Sequence, residues 1–180
     1  MDEGLTRQLA TDLDLGFERL VRTRQNRLFA FALTLTRDGG EAEEITQDAF
    51  IRAHRALQGY PAERILELRL DGWLHRIVLN LVRNRRRRPR PAVIQLEELT
   101  PDLRSGPAEL FESSESLHQL GALVAALPLP QREAVVLRCV QGFAYAEMAE
   151  LLEQPLGTVK SNVHRGLEAL RRRLASEVTA

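Results

Sequence analysis

Residues 71–88 read DGWLHRIVLNLVRNRRRR, and this stretch decides the fold class. Leu74, Ile77, Val78 and Leu81 recur at three and four residues, the period of one helical face and not the alternation of a strand. Trp73, Arg76, Asn80, Arg83 and Arg87 step by 3, 4, 3 and 4 and so share a second face. Asp71 is the expected N-cap. Arg88-Pro89-Arg90-Pro91 ends the helix, because proline lacks the amide hydrogen and restricts the residue before it.

The same period extends in both directions. Toward the N-terminus a helix is expected over residues 17–36, with Phe17, Leu20, Val21, Leu28, Phe31, Ala32 and Leu35 as its apolar stripe. Asp38-Gly39-Gly40 reads as a turn. A helix over 41–57 follows, its stripe being Ala42, Ile45, Ala49, Ala53 and Ala56. Residues 58–70, with Gly59 and Pro61, are less regular, and residues 1–16 are expected as a tail.

Toward the C-terminus, Pro89, Pro91, Pro101 and Pro107 interrupt all periodicity, so residues 91–114 read as a flexible acidic linker. Beyond it Leu117, Leu120, Val124 and Leu127 form a stripe that stops at Pro128. A helix opening near Pro130 is expected to bury Val135, Val136 and Cys139 and to end at Gly142. Two helices with a short break then close the chain. The first buries Tyr145, Met148, Ala149 and Leu152, and the second buries Val159, Val163, Leu167, Leu170 and Leu174. A short turn between two such helices is the helix-turn-helix pattern. The expected architecture is all-α, with two small helical domains at 17–90 and 115–180.

Composition bounds the function. The 180 residues are 44% hydrophobic and 28% charged, which supports a packed core. No run approaches the ~20 apolar residues of a membrane span, and no apolar run follows the acidic start, so neither a membrane partner nor a signal peptide is expected. Cys139 is the single cysteine, which excludes an internal disulfide framework and fits a reducing cytoplasm. Net charge is zero, but residues 51–92 hold 11 basic and 3 acidic side chains between two acidic blocks. All basic residues but Lys160 are Arg. Recognition of phosphates and base edges favours that choice, and a GC-rich genome produces the same bias.

Three faces could carry function. Opposite the apolar stripe of the last helix stand Lys160, Ser161, His164 and Arg165, with Gly157 and Thr158 at the helix start, where open amides can hold a phosphate. The aromatic and basic stripe from Trp73 to Arg87, extended by the arginine run, suits unstacked bases that lie on rings while Arg holds the backbone. A core tryptophan and a run that favours the helix dipole account for the same residues. Glu44, Gln47, Asp48 and Ile51 form an acidic face with one apolar residue, suited to a basic protein partner or simply to solvent.

Enzyme signals are poor. There is no phosphate-binding loop and no dinucleotide fingerprint. His54, His75, His118 and His164 lack metal-ligand spacing, and neither a metal nor a cofactor is expected.

In this setting the chain resembles the extracytoplasmic-function (group 4) sigma factors of bacterial RNA polymerase, in the sigma-70 family. The resemblance rests on Ala42-Glu43-Glu44-Ile45-Thr46-Gln47-Asp48-Ala49-Phe50, on Trp73-Leu74-His75-Arg76-Ile77-Val78-Leu79-Asn80, and on Leu127-Pro128, Arg132, Tyr145, Glu147, Ala149 and Gly157-Thr158-Val159-Lys160-Ser161. It implies that residues 17–90 form sigma region 2 and residues 115–180 form region 4. Region 2 would bind the clamp helices of the polymerase largest subunit through Glu44, Gln47, Asp48 and Ile51. Its Trp73, Arg76, Asn80, Arg83, Arg86 and Arg87 would meet the melted minus-ten element, with a flipped base held by residues 58–70. Region 4 would lie near the flap of the second-largest subunit and read the minus-thirty-five element through Thr158, Lys160, Ser161, Asn162, His164 and Arg165. An anti-sigma factor is an expected partner, beside core polymerase and promoter DNA. A stand-alone helix-turn-helix regulator is the alternative.

Against the family pattern, Glu44 and Asn84 stand where Asp is common, Ala144 where Ser or Thr is common, Glu153 where Gly is common and Asn162 where Arg is common.

Overall fold

The computed structural model describes residues 3–87 and 119–178, with side chains to 175. The expected linker, Arg88 and Leu117 lie outside the described residues. Every regular element among the described residues is helical. The chain divides into two compact units, Met1–Val93 and Ile94–Ala180.

Unit 1 comprises α1 (Glu3–Thr11), α2 (Leu13–Thr36), α3 (Gly39–Gln58), α4 (Ala62–Leu66) and α5 (Leu70–Arg87). The expected stripes of α2, α3 and α5 supply its core. Leu20, Phe31, Ala32, Leu35, Ala42, Ile45, Ala49, Ala53, Leu74 and Val78 are all fully buried. Burying each large apolar side chain stabilises the fold by about 1.5–3 kcal/mol relative to leaving it exposed.

Three local expectations are corrected. Residues 3–16 are not a tail: Leu5 and Leu9, one turn apart on α1, are buried in the unit. Asp12 divides α1 from α2 and caps α2, its carboxylate accepting from the Leu15 amide at 3.0 Å. Gly16 lets the two helices close, because a Cβ there would stand 2.7 Å from the Leu9 backbone.

The turn after α2 falls one residue early. Arg37 takes the left-handed conformation (φ 67°), Asp38 caps α3 through the Glu41 amide at 2.7 Å, and Gly39 and Gly40 are already helical. Asp71 does not cap α5. It lies in the first turn, where its carboxylate takes Arg24 Nε at 2.6 Å and Arg27 Nη1 at 3.2 Å. An ion pair between helices has replaced a local cap, and it ties α2 to the start of α5.

Unit 2 holds a helix over 119–125 (α6), α7 (Leu129–Val135), a π-helical turn (Val136–Val140), α8 (Tyr145–Leu152) and α9 (Leu156–Val178). Leu123, Leu127, Val135 and Leu170 form one buried cluster. The π turn explains the main departure from expectation. Its wider hydrogen bonding, with the Gln141 amide donating to the Val136 carbonyl, shifts the helical register. Val135 and Val136 stay buried, but Cys139 turns outward, so the expected core role of this thiol is wrong. Tyr145 is half-buried, and Leu174 is exposed because α9, at 23 residues, outlasts the eight-residue α8 and seven-residue α7.

The two ends of α8 carry the two expected weaknesses. Ala144 has no side-chain acceptor for the α8 amides, so only the reverse half of a cap remains: the Ala144 amide donates to Glu147 Oε2 at 2.9 Å. Glu153 sits in the left-handed region (φ 56°), where glycine is ordinarily preferred.

Candidate nucleic-acid interfaces

On α5, Arg76, Asn80 and Arg87 are exposed and Trp73 and Arg83 half-buried, all on the face opposite the buried Leu74, Val78 and Leu81. Trp73 is therefore neither a core residue nor a free ring. Its indole lies 6.2 Å from the Tyr60 ring at 52°, and the Arg64 guanidinium sits 3.8 Å over that Tyr60 ring. The result is a row of guanidinium, phenol and indole at the head of the basic stripe. A base lifted from its stack can lie on such rings, and each base–aromatic contact is worth about 1–3 kcal/mol. Tyr60 and Arg64 fall within residues 58–70, the segment expected to hold a flipped base, but neither is named individually by the resemblance. The signal lies in Gly59-Tyr60-Pro61, an aromatic between two turn-forming residues.

The arginine run does not act as one. Arg87 continues the stripe. Arg86 points away from it and donates to the Leu35 carbonyl at 3.3 Å, so the structure does not bring Arg86 together with Trp73 and Arg76. Arg85 crosses to α3, where Nη1 meets Glu44 Oε2 at 2.7 Å and Nη2 meets Asp48 Oδ2 at 3.4 Å.

That brings the acidic face into view. Glu44, Gln47 and Ile51 are exposed and Asp48 half-buried, along one side of α3. Gln47 donates to Glu43 at 3.2 Å. Ile51, Phe17, Phe50, His54 and Arg55 line a shallow cavity of about 340 Å³ next to the carboxylates. The face therefore combines anchored negative charge with an apolar socket.

In unit 2 the start of α9 presents Thr158, Lys160, His164 and Arg165 to solvent, with Ser161 and Asn162 half-buried. Val159 and Val163 on the opposite side are buried against the unit. Two of the polar residues are braced: Asn162 Nδ2 donates to Gln154 at 3.4 Å, and His164 Nδ1 lies 3.7 Å from Glu168. Lys160 extends to 5.9 Å from the Tyr145 ring, whose other neighbour is Arg138 at 4.9 Å. No acidic residue occupies the first turn of α9, which keeps that end positive. Donors at the start of an exposed helix match what base edges and phosphates in a major groove offer.

No group of His, Cys, Asp and Glu that could hold a metal ion occurs among the described residues. No helix among them is long and apolar enough to cross a membrane.

Comparison with known proteins matches these two regions separately. Residues 20–91 match the family model for sigma-70 region 2, and residues 117–170 match that for sigma-70 region 4. The chain is 37% identical over 167 residues to the ECF RNA polymerase sigma factor SigE of Mycolicibacterium smegmatis, covering 89% of this chain and 62% of that protein. It is 30% identical over 170 residues to the ECF RNA polymerase sigma factor SigW of Bacillus subtilis, covering 88% and 89%. Its fold is similar to that of the sigma factor RpoE of Bartonella quintana, solved with the anti-sigma factor NepR, with TM-score 0.69, 23% identity and coverage of 88% and 96%.

Proposed function

The chain belongs to the extracytoplasmic-function sigma factors of bacterial RNA polymerase, and from that premise we propose that it binds core polymerase and directs promoter-specific transcription initiation. One observation carries the reading of region 2. The Arg64–Tyr60–Trp73 row opens onto the stripe of Arg76, Asn80 and Arg83. Rings for an extruded base stand beside cations for its backbone. Extruding a base costs a few kcal/mol of stacking, and such a platform offsets that cost. Region 4 reads duplex DNA at the minus-thirty-five element through Thr158, Lys160, Ser161, Asn162, His164 and Arg165. Glu44, Gln47, Asp48 and Ile51 engage the clamp helices of the largest subunit, and region 4 lies against the flap of the second-largest.

The protein acts in the cytoplasm and supplies recognition and strand opening, with no bond chemistry of its own. An anti-sigma factor holds it inactive, as a partner of that class was solved on the Bartonella protein. A stand-alone helix-turn-helix regulator accounts only for α8 and α9 and leaves the region 2 match without a role.

The test adds the full chain to core polymerase on a template carrying upstream DNA of its own regulon. Initiated RNA that depends on the added protein is expected; none across all such templates overturns the reading. In the same system Gln47→Ala with Asp48→Ala is expected to weaken core binding by tenfold or more, and unchanged affinity removes α3 from the polymerase contact.

A further inference from the structure

Arg85 belongs to the arginine run that faces DNA in sequence, yet its side chain is committed elsewhere. It leaves α5 for α3 and joins two carboxylates that lie far from it in the chain. The exposures are unequal. The Arg85 side chain is 28% exposed, against 69% for Glu44 and 48% for Asp48. The guanidinium therefore sits beneath the carboxylates and does not lie over them.

We propose that Arg85 is a positioning residue for polymerase binding, one that fixes Glu44 and Asp48 from behind and aims their outer oxygens at a basic partner. The proposal rests on reading α3 as the polymerase face. Glu44 and Asp48 stand at i and i+4, where like charges repel and turn apart. One planar fork bonded to both removes that repulsion and restricts the two side chains. It uses Oε2 of Glu44 and Oδ2 of Asp48. The other oxygen of each has no partner among the described residues and remains open to an incoming cation.

The energetics of the fork agree. Burial pulls the Arg85 guanidinium pKa down, but the hydrogen bond and charge of Glu44, followed by those of Asp48, outweigh it and hold the net shift upward. Ordering of side chains before contact lowers the cost of association. Gln47 and Glu43 are likewise bonded to each other, so all four outward-facing polar side chains from Glu43 to Asp48 are tied to a neighbour.

The experiment measures affinity for core polymerase in the absence of DNA, so that any role of Arg85 at the promoter stays out of the readout. Variants of the full chain are Arg85→Ala, Arg85→Lys, the pair Glu44→Gln with Asp48→Asn, and all three positions together with Arg85→Ala. Arg85→Ala is expected to weaken binding by roughly three- to tenfold, the size of one ordinary net hydrogen bond, because the fork acts on the contact only through the carboxylates it holds. Arg85→Lys keeps the charge without the fork and is expected to restore only part. Adding Arg85→Ala to the carboxylate pair is expected to cost nothing more, the non-additivity of residues that act as a unit.

If the carboxylate pair weakens binding while both Arg85 variants bind as tightly as the parent, or more tightly, the fork is a mask or a bystander and the inference falls alone. If the carboxylate pair binds like the parent, the reading of α3 falls and takes the inference with it. Thermal melting of each variant identifies loss of fold, and Arg85→Lys carries the decision if Arg85→Ala melts early.

Discussion

The two units each present a cationic helix, but they hold it in opposite ways. In unit 1, α5 packs against α2 and α3, with Leu74, Val78, Leu79 and Val82 at 1% exposure or less. Ion pairs brace both of its ends, Arg24 and Arg27 to Asp71 at the start and Arg85 to Glu44 and Asp48 at the finish. In unit 2, α9 stands on shorter partners. Its start hangs from a turn with a left-handed Glu153, and its far end exposes Leu174. Separating stacked bases takes a few kcal/mol each, so a surface that does so must not yield. A major groove is already open, and a helix that enters it has no such load to bear.

The largest expected effect tests that division directly. Arg76→Ala with Arg83→Ala is expected to lower affinity for a single-stranded minus-ten oligonucleotide, in complex with core polymerase, by tenfold or more. Lys160→Ala with Arg165→Ala is expected to leave that affinity alone and to reduce the salt slope of duplex binding by about 2. Binding titrations over a range of salt read both. If the two variants damage both forms of DNA alike, the units do not divide the work.

A sharper comparison uses one substitution at matched sites. Gly16 faces backbone, with Leu9 Cα and N at 2.7 Å from a built Cβ. Gly166 faces chiefly a side chain, with Val135 Cγ2 at 2.5 Å. Backbone cannot step aside, so Gly16→Ala is expected to cost about 1–3 kcal/mol and to loosen α1. Val135 is only 3% exposed, but a side chain can rotate where backbone cannot, so Gly166→Ala is expected at the lower end of that range. Denaturant melts of the two variants give the order, and a larger loss at Gly166 reverses the picture of which unit is the rigid one.

These contrasts also mark how far the residues alone could be read. The stripes of α2, α3, α5 and α9 were legible because each buries one face against its own unit, and apolar period is all that such packing requires. The face of Trp73, Arg76, Asn80 and Arg83 was legible for the same reason, being the complement of a stripe. What escaped was tertiary. Asp71 looks like a cap until Arg24, distant in sequence, takes its carboxylate. Arg85 looks like part of a DNA-facing run until α3 lies beside it. Cys139 looks like core because periodicity assumes uniform helix, and a single π turn breaks that assumption. The α1 helix was missed because its stripe of Leu5 and Leu9 is too short to register. By contrast, Ala144 and Glu153 were legible as weak points, since caps and left-handed turns depend on residue type at one position.

Ala144 offers a gain where the glycines offer losses. Glu147 already returns its carboxylate to the Ala144 amide, so a hydroxyl at 144 completes the reciprocal pair. Ala144→Ser is expected to stabilise unit 2 by about 1 kcal/mol. The midpoint of its melt reports this, with unit 1 as an internal reference. No gain means that the start of α8 does not limit the unit.

The smallest effect compares one backbone conformation in both units. Glu153 (φ 56°) and Arg37 (φ 67°) each end a helix in the left-handed region, and both side chains are exposed. A residue with a Cβ is disfavoured there by about 1 kcal/mol. Glycine removes that strain, but its freer unfolded chain takes back about 0.4–1 kcal/mol. Glu153→Gly and Arg37→Gly are therefore both expected to raise stability by no more than a few tenths of a kcal/mol. Only the turn at 153 leads into α9. The turn at 37 is also braced by Thr36, whose hydroxyl donates to the Asp38 carbonyl at 3.1 Å, so a glycine there changes little. The turn at 153 aims the start of α9, and the chain after it is held by Gln154, which binds both the Ala149 carbonyl and Asn162. If that bracing suffices, Glu153→Gly leaves duplex affinity unchanged. A fall in duplex affinity without a fall in stability means that the strained residue itself sets the angle of the reading helix.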